Sequence, residues 1–172
     1  MKPILHNNTT YYLSFDEDSS QKVLCIEGDT TGFEGKYQAG IYKCPLIPEN
    51  AAALRGCLPW LKPQPLGLNT SFGFGDRLGI ATPGHIAAVQ ETGIAPIFAQ
   101  QSVRENDRTG RTPQIVLDDA MWGIFQMDWR DPWGADADHA KEIADLPPFI
   151  EAGYTFYTID PNEYVDNEAH TD

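Results

Sequence analysis

SFGFGDRLGIATPGH, residues 71–85, decides the reading of the fold. Small and aromatic residues run into Asp76 and Arg77, and Thr82-Pro83-Gly84 follows with the composition of a helix start. A strand that ends on charged side chains just before a helix is the corner where α/β proteins keep binding and catalytic groups.

Downstream the same device repeats. NTSFGFGD (69–76) reads as a strand, and Thr82 as the N-cap of a helix that runs through IAAVQET to Gly93. IAPIFAQQ (94–101) reads as a second strand and SVRENDRTGR (102–111) as a polar loop. Thr112-Pro113 opens a long helix, in which Leu117, Met121, Ile124 and Phe125 share one face and belong to a core. WGADADHAK (133–141) reads as a third strand. Asp145 caps a short helix that stops at Gly153, and YTFYTID (154–160) is a fourth strand rich in β-branched and aromatic residues. Strand and helix alternate, so the expectation is parallel βαβ units.

Residues 1–66 read as a small mixed unit. YYLSF (11–15) and KVLCIEG (22–28) are strands, and KYQAGIYKC (36–44) is a third. Pro48 opens a helix that stops before Pro59, and WLKPQPLG (60–67) is a connector. The expected division is 1–66 and 67–172. The second part forms the first four β/α units of a parallel (β/α) barrel, about half of a TIM-like barrel. A complete barrel takes about 250 residues and eight strands, so four strands suit either a small open α/β sheet or the front of a longer protein. The second is the expectation.

The 172 residues carry 25 Asp and Glu against 12 Lys and Arg, a net charge of −13, which repels nucleic acid over most of the surface. No apolar run has the length of a membrane span, and the first residues lack the apolar core of a secretory signal. Cytoplasm is the expected compartment. Cys25, Cys44 and Cys57 form no CxxC pair and read as buried apolar residues. Gly73, Gly75 and Gly79 give GxGxxxG, a poor match to a dinucleotide loop.

SFGFGDRLGIATPGH, PIFAQQSVRE, RTGRTPQ, WGADADHAK and FYTIDPNEYVDNEA, in that order, resemble the tagaturonate epimerase family of bacterial hexuronate catabolism. CPLIPENAAALR and PWLKPQPLG are similar to the same family. The resemblance covers residues 33–172 and is not visible in 1–32. Members of the family are longer than this chain, so it looks like their N-terminal portion. The resemblance implies a barrel-type isomerase that interconverts D-tagaturonate and D-fructuronate, with a divalent metal (Mn, Ni, Co or Zn). The inverted carbon is β to the ketone, so simple proton abstraction does not epimerise it. Retro-aldol cleavage, rotation of the aldehyde and re-addition does, given an acid/base pair and a cation to hold the enediolate. A barrel aldolase acting on a keto sugar acid, or a non-catalytic module that binds an acidic sugar, are the alternatives.

The candidate residues lie at strand ends. Asp76 and Arg77 suit substrate binding, with Arg77 as a carboxylate clamp. Gln100 and Gln101 suit sugar hydroxyls and Arg104 joins them, whereas Arg108 and Arg111 read as surface. Asp138, Lys141 and Asp160 are the catalytic candidates, and His139 and Glu163 the metal ligands. Strict strand alternation puts Asp136 and Asp138 on one face and His139 and Lys141 on the other. Asp166, Glu168 and His170 read as solvated, and His85 as packing.

Overall fold

The computed structural model describes residues 2–17, 19–166 and 168. Five strands come first: β1 (Ile4–His6), β2 (Thr9–Phe15), β3 (Lys22–Glu27), β4 (Lys36–Gln38) and β5 (Ile41–Pro45). They pair antiparallel in the order β1-β2-β3-β5-β4. KYQAGIYKC is thus a hairpin rather than one strand. Ala39 and Gly40 take φ of 49° and 84°, the left-handed pair that a tight hairpin turn needs. β1 is an addition to the expectation; Asn7 and Asn8 make its turn by the same means, at φ 46° and 61°.

Helix α1 (Pro48–Cys57) follows and stops, as expected, before Pro59. The connector then runs under the second sheet: the Gln64 N–H donates to the Trp133 carbonyl at 2.8 Å, and the Gln64 carbonyl accepts from Thr155 Oγ1.

The second sheet is parallel and in chain order: β6 (Ser71–Gly75), β7 (Ala95–Ser102), β8 (Gly134–Ala140) and β9 (Phe156–Ile159). Between the strands lie α2 (Thr82–Val89), α3 (Val103–Thr109), α4 (Pro113–Met127) and α5 (Leu146–Ala152). The architecture is mixed α/β, with a parallel four-stranded sheet and an antiparallel sheet, and the strand-helix alternation holds. Leu117, Met121, Ile124 and Phe125 are all buried on α4. Mid-helix Gly123 lets the start of α2 come close, because a Cβ there would strike the Thr82 side chain. Among the described residues no helix is long and apolar enough to cross a membrane. Cys25 and Cys44 are buried, Cys57 is half-buried, and all three are free thiols.

The two sheets share one hydrophobic cluster. Leu24, Ile26 and Cys44 of the antiparallel sheet join Leu54 and Leu58, and through α4 they join Phe98 and Ala135. Arg55 of α1 reaches Asp118 of α4 at 2.5 Å inside this core.

Three local expectations need correction. Residues 102–111 are not a loop throughout: Val103–Thr109 is helical, with Ser102 and Glu105 making a reciprocal capping box. Thr82 is not an N-cap; it is the first helical residue, buried against Gly123, and Ala81 caps without a side-chain bond. Asp145 does not cap α5 with its side chain. Its carboxylate instead accepts from the Glu142 N–H at 3.2 Å, closing the 3-10 turn Ile143–Asp145.

Candidate functional site

The C-terminal edge of the parallel sheet is built strand by strand. At the end of β6, the Asp76 carboxylate accepts from the backbone N–H of Leu78 (3.0 Å), Gly79 (2.8 Å) and Ala81 (2.6 Å). Its carbonyl accepts from Arg111 Nη1 at 2.5 Å, and Arg111 Nη2 bonds Asp119 at 2.6 Å. Gly79, at φ 73°, lies against the Asp119 carboxylate where a Cβ would not fit. Asp76 therefore frames the β6–α2 loop, and Arg111, which reads as surface in sequence, is largely buried beneath it. Arg77 donates from both Nε and Nη2 to Glu105 Oε1. Burial alone would raise the Glu105 carboxyl, but the bonds from Arg77 and from Ser102 outweigh it and hold Glu105 below its ordinary value. The proposed clamp thus has its fork engaged by α3.

At the end of β7 the two glutamines part. Gln100 donates to Asp136 Oδ2 at 3.1 Å, and Asp136 also accepts from the Thr158 N–H (3.0 Å) and Thr158 Oγ1 (2.8 Å). This polar chain ties β7, β8 and β9 together across one face. Gln101 is 1% exposed on the other face, because adjacent strand residues point oppositely. It does not line the cleft, where the expectation had it meeting sugar hydroxyls.

The ends of β8 and β9 make the densest group. The β8–β9 register shifts between Ala137 and Ala140, and His139 takes φ 54°. That left-handed residue breaks the alternation that would separate Asp138 from His139. The imidazole consequently lies between two carboxylates, with Nε2 3.7 Å from Asp138 and Nδ1 3.6 Å from Asp160. Lys141 Nζ is 3.8 Å from the same Asp160 oxygen. Burial pushes the Asp138 carboxyl up; His139 opposes this, while Asp136 and Glu105 add to it. Three residues that alternation assigns to two faces, Asp138, His139 and Lys141, are thus brought together with Asp160.

A cleft of about 580 Å³ opens beside this group, lined by His139, Lys141 and Asp160, by Arg104, Asp107 and Arg108 of α3, and by Asp145. Asp76, Arg77, Gln100 and Gln101 are not in its lining. Arg108 is the residue that sequence reasoning passed over. The Ser102-x-x-Glu105 capping signature would have found α3, and with it the i, i+4 pairing of Arg104 and Arg108.

Donors for a metal are incomplete. Among the described residues no group of three or more His, Cys, Asp or Glu is placed to hold an ion. The Glu163 side chain and His170 lie outside the described residues. His139 with Asp138 and Asp160 has suitable chemistry, but the three do not converge as a ligand set.

His139 offers a direct test of the backbone. Gly accepts φ 54° without strain, so His139→Gly should leave stability unchanged or raise it by up to ~1 kcal/mol, where His→Gly in a regular strand costs about that much. Urea unfolding reads the result, and a loss above about 1 kcal/mol would mean that the imidazole contacts matter more than the strain.

The family model described as tagaturonate epimerase matches residues 3–172. The chain belongs to that family. The match extends the resemblance seen in 33–172 almost to the N-terminus, over strands whose short, turn-rich sequences carry few distinctive motifs. A tagaturonate/fructuronate epimerase of Thermotoga maritima is 45% identical over 168 residues, 94% of this chain and 34% of that relative. Crystal structures of the fructuronate-tagaturonate epimerase UxaE from Cohnella laeviribosi, native and with glycerol, superpose with a TM-score of 0.91 at 36% identity. They cover 99% of this chain and 35% of theirs. The chain thus spans about a third of the length of the relatives it matches.

Proposed function

We propose that this chain is the part of a keto-hexuronate epimerase that interconverts D-tagaturonate and D-fructuronate, and that its parallel sheet is the first half of a (β/α) barrel whose C-terminal edge holds the substrate. The observation that carries the reading is the Asp138–His139–Lys141–Asp160 group beside an open cleft at that edge. The names of the relatives supply the substrate class.

The chemistry follows from the inverted carbon. The Asp160 carboxylate takes the proton of the hydroxyl on that carbon. The bond to the neighbouring carbon, next to the ketone, breaks, leaving an aldehyde on one side and an enediolate on the other. The Lys141 ammonium balances the enediolate charge. Asp138 lies across the His139 imidazole from Asp160, and the two carboxylates orient that ring beside the reacting hydroxyl. The aldehyde turns, the enediolate re-adds to its other face, and Asp160 returns the proton to oxygen. A divalent metal, when bound, would supply Lewis acidity to this chemistry. Its ligand set needs donors beyond the described side chains. The acidic charge and metabolic relatives favour a cytoplasmic setting, with no role for nucleic acid.

The test is proton NMR of tagaturonate with the full-length protein and Mn, Ni, Co or Zn in turn. Fructuronate should appear, without free aldehyde. No turnover under any metal would overturn the reading, and accumulating aldehyde would replace it with an aldolase.

A further inference from the structure

We propose that Arg104 and Arg108, rather than Arg77, grip the substrate carboxylate and make this cleft select sugar acids over neutral sugars. The inference rests on the cleft being the substrate site. The chain has six arginines, and four of them are held by carboxylates: Arg55 by Asp118, Arg77 by Glu105, Arg111 by Asp119 and Arg130 by Asp128. Among the described side chains no acidic group reaches Arg104 or Arg108 within ion-pair distance, and both line the same cleft. Asp107 and Asp145 line the cleft as well, yet neither pairs with the two arginines, so in a chain with twice as many acids as bases both guanidiniums stay open to an anion.

The helix explains why they face together. Arg104 and Arg108 are four residues apart on α3, so they are neighbours on its surface. Like charges at that spacing repel, a small cost in the free protein that a bound anion removes. The α3 backbone is fixed by the Ser102–Glu105 capping box, and Arg77 bonds the same Glu105 from outside. Arg77 thus braces the helix that presents the pair. A guanidinium fork matches a carboxylate with two parallel hydrogen bonds, and two forks can share its two oxygens. Across the cleft, Lys141 and Asp160 face the other end of a bound sugar acid.

The experiment compares full-length wild type with the Arg104→Ala/Arg108→Ala double variant and with Arg108→Lys. Equilibrium binding of D-galacturonate and of D-galactose is measured by calorimetry, and KM and kcat by the tagaturonate assay. Wild type should bind the acid well above the neutral sugar. The double variant should lose that preference and raise KM about 100-fold, with kcat changed far less. Arg108→Lys should recover part of it, because charge is kept and the fork is lost. Both variants should unfold in urea as wild type does, since neither arginine has an ion-pair partner among the described residues. Equal binding of acid and neutral sugar by wild type, or an unchanged preference in the double variant, overturns the proposal. If wild type prefers the acid and the double variant does not, yet tagaturonate is not turned over, the proposal stands and the epimerase reading falls.

Discussion

Asp160→Asn should lower kcat for tagaturonate about 10³-fold, the usual size of a lost general base, with KM within a few-fold of wild type. The substitution is nearly isosteric. The Asp160 N–H donates to the Ala140 carbonyl at 3.0 Å, and its Oδ1 accepts from the Asn162 N–H at 3.1 Å; asparagine retains both bonds. The contacts to His139 and Lys141 are longer, 3.6 and 3.8 Å, and those side chains are about half exposed, so little stability depends on them. Turnover should therefore fall while the urea midpoint holds. Initial rates beside an unfolding curve make the measurement. A kcat within tenfold of wild type would remove Asp160 from the chemistry and leave Asp138 or a group elsewhere as the base.

The largest stability effect is expected far from the cleft. Arg55→Met should cost about 3–5 kcal/mol at neutral pH, because it leaves the Asp118 carboxylate buried without its counter-charge. Asp118 keeps a bond from Gln114 Nε2 at 2.9 Å, but its second oxygen has no partner. Burial already pushes the Asp118 carboxyl up, and Arg55 is the main force against that. Without Arg55 the folded-state value climbs further above the unfolded one. The folded protein then holds that proton more tightly than the unfolded chain does. The sign follows: the loss is largest above the raised folded value and shrinks as pH falls through it and Asp118 is neutralised. Chemical denaturation at pH 7 and pH 5 reads both features. Arg55→Met/Asp118→Leu should recover most of the loss, since an apolar pair of similar volume suits the site. A single-variant cost below about 1 kcal/mol would mean that α1 and α4 are joined by the shared apolar cluster alone.

The alternation of strand and helix after residue 68 was legible because its signals are local. Pro113 after Thr112, Gly153 after its helix, and the apolar face of α4 each act within a few residues, whereas α2 ends at Val89 with Gln90 as its cap and does not run on to Gly93. The antiparallel half was less legible. β1 and β4 have three residues each, too short to show a period, and their turns use left-handed Asn and Ala rather than an Asn-Gly signature. α3 was missed because charged residues dominate its seven positions, although Ser102 and Glu105 announce it.

The site was half legible for a different reason. Residue type and strand-end position point to Asp138, His139, Lys141 and Asp160, and those four do gather. Their gathering depends on one left-handed residue and a register shift, which no alternation rule contains. At Gln101 alternation holds and turns the amide onto the buried face, which side-chain chemistry alone does not show. Chemistry alone also misled at Asp76 and Arg77. A carboxylate and a guanidinium at a strand end serve a loop as well as a substrate. Here three backbone N–H groups and Glu105 hold them.

The most direct measurement is a crystal structure of the full-length protein with tagaturonate bound to the Asp160→Asn variant, which should bind without turning over. The sugar acid should lie in the cleft between α3 and the ends of β8 and β9, its carboxylate on Arg104 and Arg108 and its inverted carbon's hydroxyl beside residue 160. Density at any other edge of the parallel sheet, with this cleft filled by solvent, would contradict the account.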